Sequence, residues 1–208
     1  MPTPAFDLYL VTDRTQTWGR DLLRVLEQAL EGGINAIQLR EKDLGGRDLL
    51  DLAEKTRRLC ERYSASLFIN DRIDVALAVD AAGVQLSKIS LPIETARALL
   101  GPEKLIGASI HSIEEVGPAK QSGADFLLFG PVYFTPSKAG FGAPQGITAL
   151  RKIVETSALP VYGIGGITAN NIIDVKETGA RGIALIAAII GAENPQAGTR
   201  AMMRLLRS

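Results

Sequence analysis

The sequence predicts one (β/α)8 TIM barrel, an α/β fold in a single domain spanning residues 1–208. Three observations point there. Eight short apolar runs rich in β-branched residues alternate with amphipathic stretches long enough for helices, the pattern of a parallel sheet with helical crossovers. No Pro/Ser-rich or low-complexity linker divides the chain, and 46% of its 208 residues are hydrophobic, enough for one substantial core. Polar residues also recur just past nearly every apolar run. The competing architecture, an open doubly wound sheet, would bind its ligand at a switch point, but no Gly-x-Gly-x-x-Gly turn follows the first strand, where LYLVTDRTQ stands.

The first unit pairs a strand at 7–11, around LYLV, with a helical pattern at 19–31. The second joins AIQL at 36–39 to 46–63, and the third joins LFI at 67–69 to 72–80. GVQL at 83–86 precedes 92–100, and LIGA at 105–108 precedes 113–122. FLLF at 126–129 is followed by the longest irregular stretch, 131–146, and then by 146–156. VYGI at 161–164 leads to 169–178, and a strand at 183–187 leads to 195–207. At 208 residues the barrel leaves little room for insertions.

Composition removes several function classes. Lys plus Arg and Asp plus Glu both number 23, so no global field draws in nucleic acid or an anionic membrane, and an anion must be gripped locally. The single cysteine, Cys60, lies in a helical pattern and reads as a structural thiol, with no disulfide framework and no cysteine cluster for zinc. The start lacks a signal-peptide pattern and no apolar run is long enough to span a bilayer, so a cytoplasmic location is expected. Apolar stripes on the barrel helices leave a homo-oligomer open.

In such a barrel the active site gathers at the carboxyl ends of the strands. Gly165 and Gly166 follow the seventh strand and offer bare amides to a phosphate, with Ala187 and Ala188 leaving room beside them after the eighth; a tight turn with Thr168 as N-cap is the alternative. Arg40 and Lys42, above Gln38, either grip an anion or flat ring or form surface pairs with Glu41 and Asp43. Asn70 and Asp71 either cap the third helix or serve the site, Asp71 as a magnesium ligand with no second carboxylate nearby. His111, the only histidine, stands just past the fifth strand next to a capping box, Ser112-Ile113-Glu114-Glu115, and is the candidate proton carrier. Ser109 shares that strand end, and Thr135, Ser137 and Lys138 form a hydroxyl-rich cationic loop suited to a diphosphate or simply to solvent.

In order and spacing, LYLVTDR, GGINAIQLREKD, FINDRIDVALAV, GVQL, IGASIHSIEE, GADFLLFGPVYFTPSKAGFGAPQG and VYGIGGITANN with ARGIALIAAI resemble the thiamine phosphate synthase and TenI-type thiazole tautomerase superfamily over nearly the whole chain. The resemblance implies a (β/α)8 barrel binding a small phosphorylated thiazole. For a synthase it implies Mg2+ on Asp71. The pyrimidine or its diphosphate would then lie on Gln38, Arg40, Lys42 and Asn70, pyrophosphate on Ser109, Thr135, Ser137 and Lys138, and thiazole phosphate at Gly166 and Ala187. The synthase pattern Gly-Val-His-Leu-Gly-Gln-x-Asp here reads Gly-Val-Gln-Leu-Ser-Lys-Ile-Ser, which puts Ser90 at the second magnesium aspartate and Lys88 nearby. That departure, with the TenI-like reading around His111, favours a metal-free tautomerase that aromatises carboxythiazole phosphate through His111. The synthase is the alternative, and a noncatalytic regulatory relative the third.

Overall fold

The computed structural model describes residues 3–136 and 142–208, which places Ser137 and Lys138 outside the described residues. Eight parallel strands close into a barrel in sequence order: β1 (Leu8–Val11), β2 (Ala36–Leu39), β3 (Ser66–Asn70), β4 (Gly83–Leu86), β5 (Leu105–Ile110), β6 (Phe126–Phe129), β7 (Val161–Ile164) and β8 (Gly182–Leu185), the last pairing with the first. The helices are α1 (Leu22–Glu31), α2 (Gly46–Arg62), α3 (Ile73–Ala78), α4 (Ile93–Leu100), α5 (Val116–Gln121), α6 (Gly146–Thr156), α7 (Ile172–Lys176), α8 (Ala187–Ile190) and α9 (Pro195–Arg207). All eight expected strands are present. Among the described residues no helix is long and apolar enough to cross a membrane.

Two layers of core follow from strand alternation. One set of side chains, with Leu8, Leu10, Ile37, Leu39 and Ile69, meets the apolar faces of the helices. The other set points into the barrel, where Phe6, Tyr9, Phe68, Phe126 and Tyr162 form a buried aromatic cluster with ring centroids between 4.8 and 6.5 Å apart. Edge-to-face pairs such as Phe68 with Phe126 each add about 0.5–1.5 kcal/mol beyond the area they bury. Cys60 is a buried thiol on α2, and burial pushes it up to about 12.

The amino-end loops are held by a structural clamp. Arg97 donates to the carbonyls of Gly101 (2.8 Å), Lys104 (2.7 Å) and Gly123 (2.9 Å) and to buried Asp125, whose carboxylate also accepts from the Ile106 amide at 2.7 Å. That face is connection. The chemistry-bearing residues lie at the other end.

Several local expectations are corrected. Ser112 makes no side-chain cap, and Glu115 instead accepts from the His111 amide (3.3 Å) and pairs with Lys88 (3.0 Å). Neither Asn70 nor Asp71 caps α3, whose N-cap is Arg72, because Asp71 takes a left-handed backbone (φ 60°) that turns its carboxylate elsewhere. Helix α7 starts at Ile172, later than expected, and Thr168 caps the turn that leads into it, its hydroxyl accepting from the Asn170 amide at 3.3 Å. The short helix α8 directly after β8 was not expected, since four residues carry no readable period.

Candidate active site

The barrel interior rises from aromatic floor to polar mouth. Above the rings lie the buried carboxamides of Gln38 on β2 and Gln85 on β4. Gln85 donates from Nε2 to Ser109 Oγ at 3.0 Å, and its carbonyl lies over Gly107, where an added Cβ would come within 2.3 Å of Oε1. Gln85 Oε1 is buried without a hydrogen-bond partner, a cost tolerated where a ligand is read, while Gln38 reaches the buried Tyr9 hydroxyl. Ser109 is therefore joined to Gln85, one of the polar residues that the sequence places at the strand ends.

At the ends of β3 and β4, oxygen donors surround one carboxylate. Asp71 accepts from Asn70 Nδ2 at 2.7 Å, from Ser87 Oγ at 3.4 Å and from Ser90 Oγ. Ser87 and Ser90 are 3.0 Å apart through their hydroxyls. Position 90 thus lies against Asp71, as the resemblance implied, with a neutral oxygen there. Lys88 turns its charge to Glu115, which corrects the expectation that it opposes a cation beside Asp71. Among the described residues no three His, Cys, Asp or Glu gather in one place, so a cage built from protein charges alone is absent from them. One carboxylate with two hydroxyls fits Mg2+, a hard ion that is usually shared with substrate phosphates.

After β2, Arg40 donates its amide to Thr12 Oγ1 at 2.9 Å. The neighbouring acids do not pair with Arg40 or Lys42. Glu41, with its side chain 2% exposed, and Asp43 both bind Arg14, so neither mouth cation has an ion-pair partner among the described residues.

His111 sits at the rim with Nδ1 2.6 Å from the carbonyl of Gly130. A carbonyl only accepts, so in the neutral ring Nδ1 carries the hydrogen and Nε2 the lone pair. Gly165 (φ 98°) and Gly166 (φ 64°) turn the chain after β7. A Cβ on Gly166 would lie 2.4 Å from the Phe134 carbonyl. Asn171 locks the turn, donating to Gly166 O at 3.0 Å and accepting from the Thr168 amide at 2.8 Å. The amides of Gly166, Ala187 and Ala188 have no acceptor among the described residues, and β7 pairs with β8, so two adjacent loops present unpartnered donors. Arg20 supports the second loop from below, donating to Ile190 O and Ala192 O, both at 2.8 Å.

The sequence model of the family described as thiamine monophosphate synthase matches residues 8–189. The chain belongs to that family. Within the thiamine monophosphate synthase family it is 50% identical, over 97% of its length and 94% of the relative's, to a putative thiamine-phosphate synthase of Geobacter sulfurreducens. It is 42% identical, over 98% of both chains, to a thiamine-phosphate synthase of Desulfitobacterium hafniense. The solved thiamine phosphate pyrophosphorylase from Pyrococcus furiosus superposes with a TM-score of 0.89 at 40% identity, covering 97% of this chain and 96% of that one. These relatives carry synthase names, so the balance between the two enzymatic readings moves away from the tautomerase.

Proposed function

We propose that this chain is a thiamine-phosphate synthase, a transferase that joins an aminopyrimidine diphosphate to thiazole phosphate and releases pyrophosphate. The observation that carries the reading is full-length identity of 40–50% to proteins named for that activity. The site supplies a matching set of groups. In the reaction the bond from the pyrimidine methylene to the diphosphate oxygen breaks, its electron pair leaving with pyrophosphate. The thiazole nitrogen then gives its lone pair to the methylene carbon.

Gln38 and the Gln85–Ser109 pair read the pyrimidine edge from the floor, with Asn70 beside them. Arg40 and Lys42 offset charge on the departing diphosphate, with Thr135 on the loop after β6; Ser137 and Lys138 would extend that grip but lie outside the described residues. The unpartnered amides of Gly166, Ala187 and Ala188, past the turn at Gly165, take the thiazole phosphate and hold the ring nitrogen towards the methylene carbon, where orientation contributes much of the rate. Asp71, Ser87 and Ser90 would hold Mg2+, which when bound neutralises leaving-group charge.

Incubation with Mg2+, aminopyrimidine diphosphate and thiazole phosphate should yield thiamine phosphate with release of pyrophosphate, and absence of turnover while both substrates bind would overturn the assignment. One observation favours the tautomerase as a second reading: the fixed Nε2 lone pair of His111. Under that reading His111→Asn abolishes carboxythiazole aromatisation, whereas under the synthase reading it leaves coupling largely intact.

A further inference from the structure

The run Arg40-Glu41-Lys42-Asp43 alternates in sign, and left to itself such a run neutralises its own cations. The structure sorts it. Both acids face one partner: the Glu41 carboxylate accepts from the Arg14 amide at 3.1 and 3.2 Å and from Nη1 at 3.3 Å, while Asp43 takes Nη1 at 2.5 Å and Nη2 at 2.6 Å in a two-pronged pair. The Asp43 bond raises Arg14 further above its ordinary range, and Arg14 lowers Asp43 in turn. The remaining acid of the first loop, Asp13, is occupied by Thr15 (3.1 Å from the amide, 2.6 Å from the hydroxyl) and by Gln16 Nε2 at 2.7 Å. Arg40 acts on Asp13 only through charge at longer range.

We infer that Arg14 is a positioning residue that holds the carboxylates of Glu41 and Asp43 off Arg40 and Lys42, leaving those cations available to a diphosphate. This rests on the reading of the mouth as a diphosphate site. A turn supplies the geometry: the chain turns at Lys42 and Asp43, with the Leu44 amide donating to the Glu41 carbonyl at 3.3 Å, and both carboxylates meet Arg14. Remove the guanidinium and Glu41, almost fully desolvated, loses its cation, while Asp43 swings loose one residue from Lys42. The released acids then compete with the ligand for Arg40 and Lys42.

The test titrates inorganic pyrophosphate with Mg2+ into the full-length protein by calorimetry, with circular dichroism as the folding control. Arg14→Met should weaken binding about fivefold to tenfold, the loss expected when two exposed ion pairs form in competition. The triple variant Arg14→Met, Glu41→Gln, Asp43→Asn should return to within about threefold of wild type, because neutral side chains no longer compete. Asp43→Asn alone, at a largely exposed position, should bind as wild type does. A folded Arg14→Met that binds at full strength overturns the inference, as does a triple variant no better than the single one. Tightening by Asp43→Asn overturns it without any change at Arg14, since Asp43 would then already be screening the cations. If wild type binds no pyrophosphate, the diphosphate reading and this inference fall together, a result distinct from the others.

Discussion

Replacing Gly166 by alanine probes the proposed phosphate cup at its tightest point. The residue is left-handed at φ 64°, a conformation that costs an L residue about 1–2 kcal/mol. A Cβ there would lie 2.4 Å from the Phe134 carbonyl oxygen and 2.7 Å from Tyr133 Cβ. The first neighbour is backbone and cannot rotate aside, so the loop after β6 must move, at a typical overpacking cost of about 1–3 kcal/mol. The total of about 2–5 kcal/mol corresponds to a fall in melting temperature of about 4–20 °C for a domain this size. Gly33, left-handed at φ 104° with open space around its Cβ position, is the control: alanine there bears the backbone cost alone and lies at the amino face. Thermal unfolding of the two variants separates the terms, and inorganic phosphate binding reads the site. Gly166→Ala with wild-type melting and wild-type phosphate affinity would refute both the packing argument and the placement of the cup. Equal losses in the two variants would refute the steric part.

Two further outcomes follow from ionisation. The Asp74 carboxyl is held below its ordinary value by Arg72, Asp80 by Lys104, and Asp13, despite some burial, by Thr15 and Gln16. Their folded values lie below the unfolded ones, so their contribution is complete above the ordinary carboxylate range and is lost as pH falls through the folded values; urea midpoints should hold between about pH 6 and 8 and drop below about pH 4. Cys60, pushed up to about 12 by burial, should resist a thiol-specific disulfide reagent at about pH 8 in the folded protein and react fully once denaturant is added. Labelling of native protein at the rate of a free thiol would contradict that.

The barrel was legible because its signals are local and repeated. AIQL, GVQL, FLLF and VYGI coincide with β2, β4, β6 and β7, and 146–156 and 195–207 coincide with α6 and α9. What stayed hidden depends on contacts between distant segments. Arg14 and Asp43 are 29 positions apart, so the sequence offered neighbouring surface pairs for Arg40 and Lys42 instead of the shared clamp. Nor does strand alternation reach that far, because the chain turns at Lys42 and Asp43, past the end of β2. Gln85 was readable as a polar residue at the end of its strand, but its bond to Ser109 was not, since the two are 24 positions apart. The left-handed Asp71 could not be inferred from a residue type that ordinarily caps helices. Position 90 lies against Asp71, as the motif spacing implied, and the hydroxyl there keeps an oxygen in position without the charge of an aspartate.

The aromatic cluster of Phe6, Tyr9, Phe68, Phe126 and Tyr162 plugs the amino end of the barrel, so its interior grades from rings at that end to polar side chains at the other. A ligand on the Gln85–Ser109 pair would rest on that apolar plug and face the polar end.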